Sequence, residues 1–437
     1  MTERPTPTFK QALAVWAKIG VLSFGGPAGQ IALMHRVLVD EKRWIDEGAY
    51  LRALNFCTLL PGPEAQQLAT YVGWRLRGVA GGLTAGLLFI IPGALVVLGL
   101  SVLYAYAADL KPVAAAFMGV KAAVLAIVVE ALLRVGKRAL NAPLKRGIAV
   151  AAFLALASLQ VPFPLVILAA ALLGFAVAHV RPDALALKPM SAVGDRAPLL
   201  GPAIRTAATW AAIWAAPMAL IFVLLGRDHV LFEIGLFFSK LAMVTFGGAY
   251  AVLAYMAQEA VTVHGWLSPG EMMDGLGLAE TTPGPLILVT QFVGFLAAFR
   301  LPAPFTPLVA GLLGAAVTLW TTFAPCFMWI FTFAPSVERL EHARRLQGAL
   351  AAITAAVVGV IANLTLWFGL HVLFSRFEAV ELFGRATTLP HLSSFDWRVL
   401  ALGAVSAVLL FRLHLGVIKV LAAAILLGLA LHFAGLG

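Results

Sequence analysis

Charge in this chain is gathered into short stretches, and between them lie long apolar runs. No residue ionised at neutral pH falls between Arg77 and Asp109, Arg146 and Arg181, Arg205 and Arg227, Arg300 and Glu338, or Arg345 and Arg376. Each run holds the ~20 apolar residues that one membrane-spanning helix needs, and the longer ones have room for two shorter helices. The pattern predicts an all-α polytopic membrane protein. Composition agrees: 61% of the 437 residues are hydrophobic and 12% are charged, with a mean hydropathy of +0.94, where a soluble domain carries about 25% charged residues. A soluble enzyme, a nucleic-acid-binding protein and a disordered chain are excluded. The net charge of +10 is the Lys and Arg excess of cytoplasmic loops, where it also meets anionic lipid, so the expected partner is the bilayer and not nucleic acid. Cys57 and Cys326 lack CxxC spacing and lie in apolar surroundings, so they read as packing residues, and no metal, disulfide or cofactor is expected. Residues 1–8 read as a polar tail with no small-residue cleavage site after it, which predicts an inner or plasma membrane protein without a removable signal peptide.

The chain repeats itself. Lys18, Phe24-Gly25-Gly26, Trp44 and Pro61-Gly62-Pro63 recur as Lys240, Phe246-Gly247-Gly248, Trp266 and Pro283-Gly284-Pro285, each displaced by 222 positions (240 minus 18, 246 minus 24, 266 minus 44, 283 minus 61). Tyr71-Val72-Gly73-Trp74 returns as Phe292-Val293-Gly294-Phe295, and the segment beginning near Gly119 resembles the one beginning near Gly348. The predicted halves are residues 9–180 and 230–437. Between them, 181–229 reads as a Pro-rich cytoplasmic linker, Arg181 to Arg205, followed by one crossing, Thr206 to Gly226. A single unpaired crossing would turn the second copy over, so two inverted-topology repeats are expected. Basic residues point the same way. In the first copy Arg134, Lys137, Arg138, Lys145 and Arg146 follow the Gly119 helix, with Asp109 and Lys111 before it. In the second, Arg339, Arg344 and Arg345 precede the Gly348 helix, and Asn363 to Phe374, read as the loop after it, holds only His371. Since Lys and Arg mark the cytoplasmic face, this places the N-terminus inside and the C-terminus outside.

Gly-Gly and Pro-Gly-Pro inside apolar stretches break helices, because Pro lacks a donor and Gly gives up backbone order. In a bilayer such breaks survive where the freed backbone lines a polar cavity, as in transporters built from repeats. A helix that restarts after a break presents unsatisfied N–H groups and a positive dipole end, which bind anions. The starts after Pro63 and Pro285 are the first anion-binding candidates, and those after Gly26 and Gly248 the second. Lys18 and Lys240, each six residues before its Phe-Gly-Gly, would offset an anion's charge or else snorkel to the interface. Lys121 is a weaker cation candidate. Asn55, Thr58, Gln66 and Gln67 in the first copy, and Thr281, Thr282, Thr290 and Gln291 in the second, would donate neutral hydrogen bonds to an oxyanion or satisfy nearby carbonyls. Glu64, directly after the first Pro-Gly-Pro, and Glu280, three residues before the second, are expected to couple proton occupancy to anion occupancy. Gly78, Gly82 and Gly86, spaced by four, predict a helix-packing strip. One enzyme-like string, His35 to Asp40, has the HxxxxD spacing of some acyltransferases, but its counterpart Ala257 to Thr262 lacks both residues. No GxSxG, HExxH or Walker string occurs.

Phe24-Gly25-Gly26-Pro27, the run Asn55 to Gln67 around Pro61-Gly62-Pro63, and Ala279-Glu280-Thr281-Thr282-Pro283-Gly284-Pro285 closely resemble the chromate ion transporter (CHR) family in its long two-domain form, over nearly the whole chain. The resemblance implies a proton-motive-force-driven exporter of chromate with a duplicated, antiparallel membrane domain, conferring chromate resistance in bacteria. It also implies that sulfate, an isosteric dianion, competes or is carried. The residues alone support a secondary transporter for an anion. The competing readings are an inward oxyanion permease, a membrane-embedded acyltransferase on His35 and Asp40, and a channel. Oligomeric state stays open, with a homodimer among the options.

Overall fold

The computed structural model describes residues 7–108, 110–187, 200–246, 249–337, 344–382 and 385–436. The first half contains α1 (Phe9–Leu22), α2 (Gly26–His35, prolonged by the π-helical turn Arg36–Glu41), α3 (Glu47–Thr58), α4 (Glu64–Ala107), α5 (Lys111–Ala139), α6 (Pro143–Ala157) and α7 (Phe163–Val180). A connecting helix, α8 (Leu200–Leu225), leads to α9 (Val230–Val244), α10 (Ala249–Gln258, prolonged by the π-helical turn Glu259–Val263), α11 (Pro269–Thr281), α12 (Val289–Arg300), α13 (Pro307–Phe333), α14 (Arg344–Leu373), α15 (Trp397–Ala407) and α16 (Val417–Leu431). Between α14 and α15 an antiparallel hairpin pairs β1 (Phe377–Leu382) with β2 (Arg385–Pro390), Phe377 opposite Pro390.

The succession after α8 repeats the one before it, down to the π-helical turn that ends the second helix of each half. Helix α4 looks like the exception and is not. Arg77 and Gly78 leave the helical region, with φ +62° at Gly78, and a Cβ on Gly73 would strike the Gly81 carbonyl. A straight helix holds residues eight apart at about 12 Å, so α4 is folded back at Gly78 into legs 64–76 and 79–107. The second half builds the same hairpin from α12 and α13, with Gly294 against Gly314 and Thr318. The predicted glycine strip is thereby divided. Gly78 is the turn itself, where a positive φ favours Gly, while Gly82 and Gly86 admit the Phe331 and Phe327 rings of α13 and the Thr70 backbone and hydroxyl.

Seven helices among the described residues are long and apolar enough to cross a bilayer. The uncharged run from Arg146 to Arg181 does hold two helices, most of α6 and all of α7. By contrast α1, α2, α3, the 64–76 leg and α9 to α12 span 10 to 15 residues each, about 15–22 Å of helix against a hydrocarbon core of about 30 Å. Two boundaries differ from expectation. Asn363 to Leu373 is not a loop but the last three turns of α14, and Arg134, Lys137 and Arg138 ride on the last turns of α5, where C-terminal carbonyls favour cations. Asp109 and Arg339 lie outside the described residues.

The long helices are exchanged between halves. Helix α5 packs on α15 and α16, and α14 packs on α6 and α7. Glycines carry these contacts: Gly119 abuts Ala424 and Gly428 abuts Ala115, while Gly174 abuts Gly348 and Ala352 and Gly348 abuts Ala178. In both pairs rising numbers on one helix meet falling numbers on the other, so α5 runs antiparallel to α16 and α7 antiparallel to α14. Helix α8 lies at the edge against α13 and α9, where Trp210 packs on Phe327 and Phe331 and the Trp214 carbonyl accepts from Trp320 Nε1 at 3.1 Å.

Candidate functional site

Each half is interrupted twice, and the residues that interrupt it explain why. Helix α1 ends at Leu22, Ser23 turns its hydroxyl back to the Ile19 carbonyl at 2.6 Å, and Gly25 and Gly26 follow with φ +85° and +69°, a region that L side chains disfavour. Helix α3 ends at Thr58, and Gly62 turns between two prolines with φ +129°. In the second half Thr245 turns its hydroxyl onto Leu241 at 2.6 Å, and Gly284 sits at φ +88°.

The breaks are joined crosswise. The Gly62 amide donates to the Thr245 carbonyl at 2.8 Å, and the Gly284 amide donates to the Ser23 carbonyl at 2.9 Å. Ser23 and Thr245 are counterparts, as are Gly62 and Gly284, so each Pro-Gly-Pro closes on the entrance to the other half's Phe-Gly-Gly. A further pair of counterparts backs this junction. Pro92-Gly93 in α4 and Pro325-Cys326 in α13 are displaced by 233 positions (325 minus 92). A Cβ on Gly93 would strike the Pro283 carbonyl, and one on Gly62 would lie 2.8 Å from Cys326 Sγ. Both prolines stand inside long helices, and the residue after each meets the opposite half's break.

The amide and hydroxyl side chains serve mostly to hold the breaks. Gln67 Nε2 donates to the Pro61 carbonyl at 2.7 Å, and Gln291 Nε2 donates across the halves to Ala94 at 3.0 Å. Gln66 bonds Thr70. Thr58, Thr281, Thr282 and Thr290 each donate to a carbonyl of their own helix. Apart from Gln66, whose partner is a hydroxyl, these bonds satisfy backbone carbonyls. Gln30, which the sequence reading passed over, clamps both strands of one junction, donating to Gly284 at 2.5 Å and Ser23 at 3.3 Å. The side-chain oxygens of Gln30, Gln66, Gln67 and Gln291 are buried without a donor.

Backbone amides at the helix starts are the other candidate anion-binding groups. The starts of α2, α4 and α12 have no side-chain cap, which leaves early N–H groups of α2 and α4 open, while the Val289 amide that opens α12 bonds back into the preceding 3-10 turn. After Pro285 the chain makes a 3-10 turn, Leu286–Leu288, before α12 begins, so the second first-rank start is three residues later than expected. The α4 start is deep: Pro61, Gly62, Pro63, Gln66 and Gln67 are buried and Glu64 half-buried. The α2 start is open, with nothing within 4 Å of a Cβ on Gly25 or Gly26. Asn55, Lys18 and Lys240 are exposed on α3, α1 and α9. Thr282, Pro283, Gly284 and Pro285 are buried, as is Glu280, in the last turn of α11. Gly247 and Gly248 lie outside the described residues.

The two ring nitrogens of His35 face carboxylates, Glu47 at 2.5 Å and Asp40 at 3.4 Å. One ionisable group went unread. Asp274 of α11 is buried and takes a hydrogen bond from Tyr104 of α4 at 2.8 Å, with Lys121 of α5 at 3.3 Å. The signal was present in Met272-Met273-Asp274-Gly275-Leu276, an acid in an apolar segment.

The sequence model of the chromate transporter family matches residues 10–175 and 232–429. The chain is 35% identical to the chromate transport protein of Pseudomonas aeruginosa over 370 residues, covering 83% of this chain and 81% of that one. It is 28% identical to the chromate transport protein of Cupriavidus metallidurans over 360 residues, covering 82% of each. An uncharacterized transporter of Methanocaldococcus jannaschii is 25% identical over 375 residues, covering 85% of this chain and 87% of that one. No solved structure matches.

Proposed function

The chain belongs to the chromate transporter family, and from that premise we propose that it is a secondary transporter that exports chromate across the bacterial inner membrane, driven by the proton motive force, and so confers chromate resistance. The observation that carries this reading is the reciprocal bonding of the breaks, Gly62 to Thr245 and Gly284 to Ser23. Discontinuous helices that meet between repeats are where transporters place substrate, because uncapped N-termini aim partial positive charge at one locus. The anion is held by the uncapped amides at these junctions, those that open α2 where Gly284 meets Ser23 and those that open α4 where Gly62 meets Thr245, with Gly25, Gly26 and Pro61 to Pro63 shaping them. Lys18 and Lys240 act from the exposed flanks. Sulfate has the same charge and tetrahedral shape, and competes.

We read the halves as inverted copies, residues 9–180 and 230–437, joined by 181–229. The antiparallel course of α5 against α16 and of α7 against α14 supports this. Within each half these helices are first and third of three successive crossings, so antiparallel packing between halves is what inversion requires. The N-terminus is then cytoplasmic. Rocking one half on the other exposes the locus to each side in turn.

Voltage favours efflux. Moving a dianion outward through a membrane negative inside gains about 2.3 kcal/mol per charge per 100 mV, or about 4.6 kcal/mol for chromate. Everted vesicles supplied with labelled chromate or sulfate, with and without a proton gradient, test the reading. Gradient-dependent chromate uptake, inhibited by sulfate, is expected. Uptake of sulfate alone, or chromate flux indifferent to both gradient and voltage, would overturn it.

A further inference from the structure

The seam between α11 and α5 is where the second half presses on the first away from the breaks. It is closely fitted: a Cβ on Gly277 would collide with Val120, and one on Gly270 would lie 3.2 Å from Lys121 Nζ. Inside this seam sits the cluster of Asp274, Lys121 and Tyr104. One carboxylate oxygen of Asp274, Oδ2, takes both partners, Tyr104 at 2.8 Å and Lys121 at 3.3 Å, and the other, Oδ1, is buried with none. The Asp274 side chain is 4% exposed and Lys121 29%, so one partner reaches the outside of the seam while the other does not. The Tyr104 ring is fixed edge-on between Phe117 and Phe292, 5.1 Å from each. From α5 the carboxylate faces Lys121, from α4 Tyr104, and from its own helix Glu271, which α12 engages through Arg300. Helices α14 and α16 also pack on α11, and no described titratable side chain of theirs bears on Asp274.

Nothing in the symmetry of the chain requires this cluster. At the equivalent positions of the other half stand Arg52 for Asp274, Val337 for Tyr104 and Leu350 for Lys121. A buried ion pair is weak as a stabiliser but strong as a discriminator between two arrangements, because parting its members without neutralising one is costly. Glu64 and Glu280, beside the breaks, are poorly suited to drive export. A carboxylate touching the anion gains its proton together with the anion, and so carries both in one direction. Inward protons that drive an outward anion need a carboxylate set apart. Asp274 stands nine residues before Pro283, about 13 Å along a helix axis.

We propose that the Asp274–Lys121 pair is a proton-operated latch between the two halves, and that Asp274 is the carboxylate through which protons drive export. This rests on the reading above of a proton-driven chromate exporter. In the empty transporter the ionised pair locks the α5–α11 seam. A proton taken up by the Asp274 carboxylate makes it a neutral acid, Lys121 stays an ammonium, and the seam opens so that the empty site returns. The proton is then given up on the other side, and the loaded transporter crosses on the binding energy of the anion.

The test uses full-length protein in proteoliposomes with labelled chromate, comparing accumulation driven by an acidic lumen with chromate counterflow at equal pH. Asp274→Asn is permanently unlatched: gradient-driven accumulation falls roughly tenfold or more while counterflow stays within roughly threefold of wild type. Accumulation retained in Asp274→Asn, or accumulation and counterflow lost together, overturns the latch. Lys121→Gln and Tyr104→Phe remove groups that favour the carboxylate, so each moves the half-maximal pH of gradient-driven transport upward, Lys121→Gln further. Should Asp274→Asn not reach the bilayer, these two decide, and unshifted profiles overturn the proposal. Wild-type protein that fails to accumulate chromate under the gradient would defeat the exporter reading instead, which separates the two failures.

Discussion

The two halves of this protein share a backbone and differ in their charges. Each has a Phe-Gly-Gly and a Pro-Gly-Pro break, a π-helical turn after its second helix, and a proline-bearing long helix that meets the other half's break. The acid–cation–phenol cluster belongs to one seam alone, where the other has Arg52, Val337 and Leu350. The connections differ too: α5 reaches α6 through residues 140–142, while α14 reaches α15 through a β-hairpin. The lesson is a division of labour. The breaks recur in both halves, whereas the buried acid–cation–phenol cluster is built into one seam only.

The largest expected effect sets one seam against the other. Lys121→Ala leaves Asp274 buried without its cation and should cost about 3–5 kcal/mol, whereas Arg52→Ala, at the exposed counterpart of Asp274, should stay within about 0.5 kcal/mol. Unfolding of the purified protein in mixed micelles checks both, and equal losses would erase the distinction. Next comes the shared junction. Gly93→Val drives a side chain into the Pro283 carbonyl and should cost about 1–3 kcal/mol, while Cys326→Val, already bearing a Cβ, should cost less. Smaller again are the clamps: Gln67→Leu and Gln30→Leu each leave a break carbonyl without its donor, about 1–2 kcal/mol apiece. The smallest lies outside the bilayer, in the second half only. Hydrogen bonding from Arg398 holds the Asp396 carboxyl below its usual range. That pair therefore adds stability above the unfolded carboxylate value near pH 4 and loses it as pH falls through the lower folded value. Asp396→Asn should lower stability by under about 1 kcal/mol at pH 7 and by nothing at pH 2.

What the sequence disclosed was whatever repeats or whatever lipid forbids. The uncharged runs became long helices, and a fixed displacement of 222 located all four breaks, of which Gly247 and Gly248 lie outside the described residues. The Pro92 and Pro325 pair escaped because the second hairpin is longer, loop and helix ends together: 20 residues run from Gly294 to Gly314 (314 minus 294) against eight from Gly73 to Gly81 (81 minus 73), which shifts the displacement from 221 to 233. The fold-back at Gly78 was harder to read, since a turn of two residues is marked in the sequence only by Arg75 and Arg77 beside a glycine. For Gln67 and Gln291 the sequence left two roles open, because a side-chain amide shows its chemistry but not which carbonyl it meets. Asp274 was passed over because its partners lie 170 and 153 positions away (274 minus 104, 274 minus 121) on other helices.

The exchange of long helices between the halves bears on how the protein is made. Helix α7 leaves the ribosome well before α14, the surface it packs on, exists: 164 residues separate Val180 from Arg344 (344 minus 180), roughly 10 to 30 s of synthesis at about 5–20 residues per second. During that interval its face around Gly174 has only lipid or an insertase to cover it. Biogenesis should accordingly be the step most sensitive to translation speed and to insertase supply.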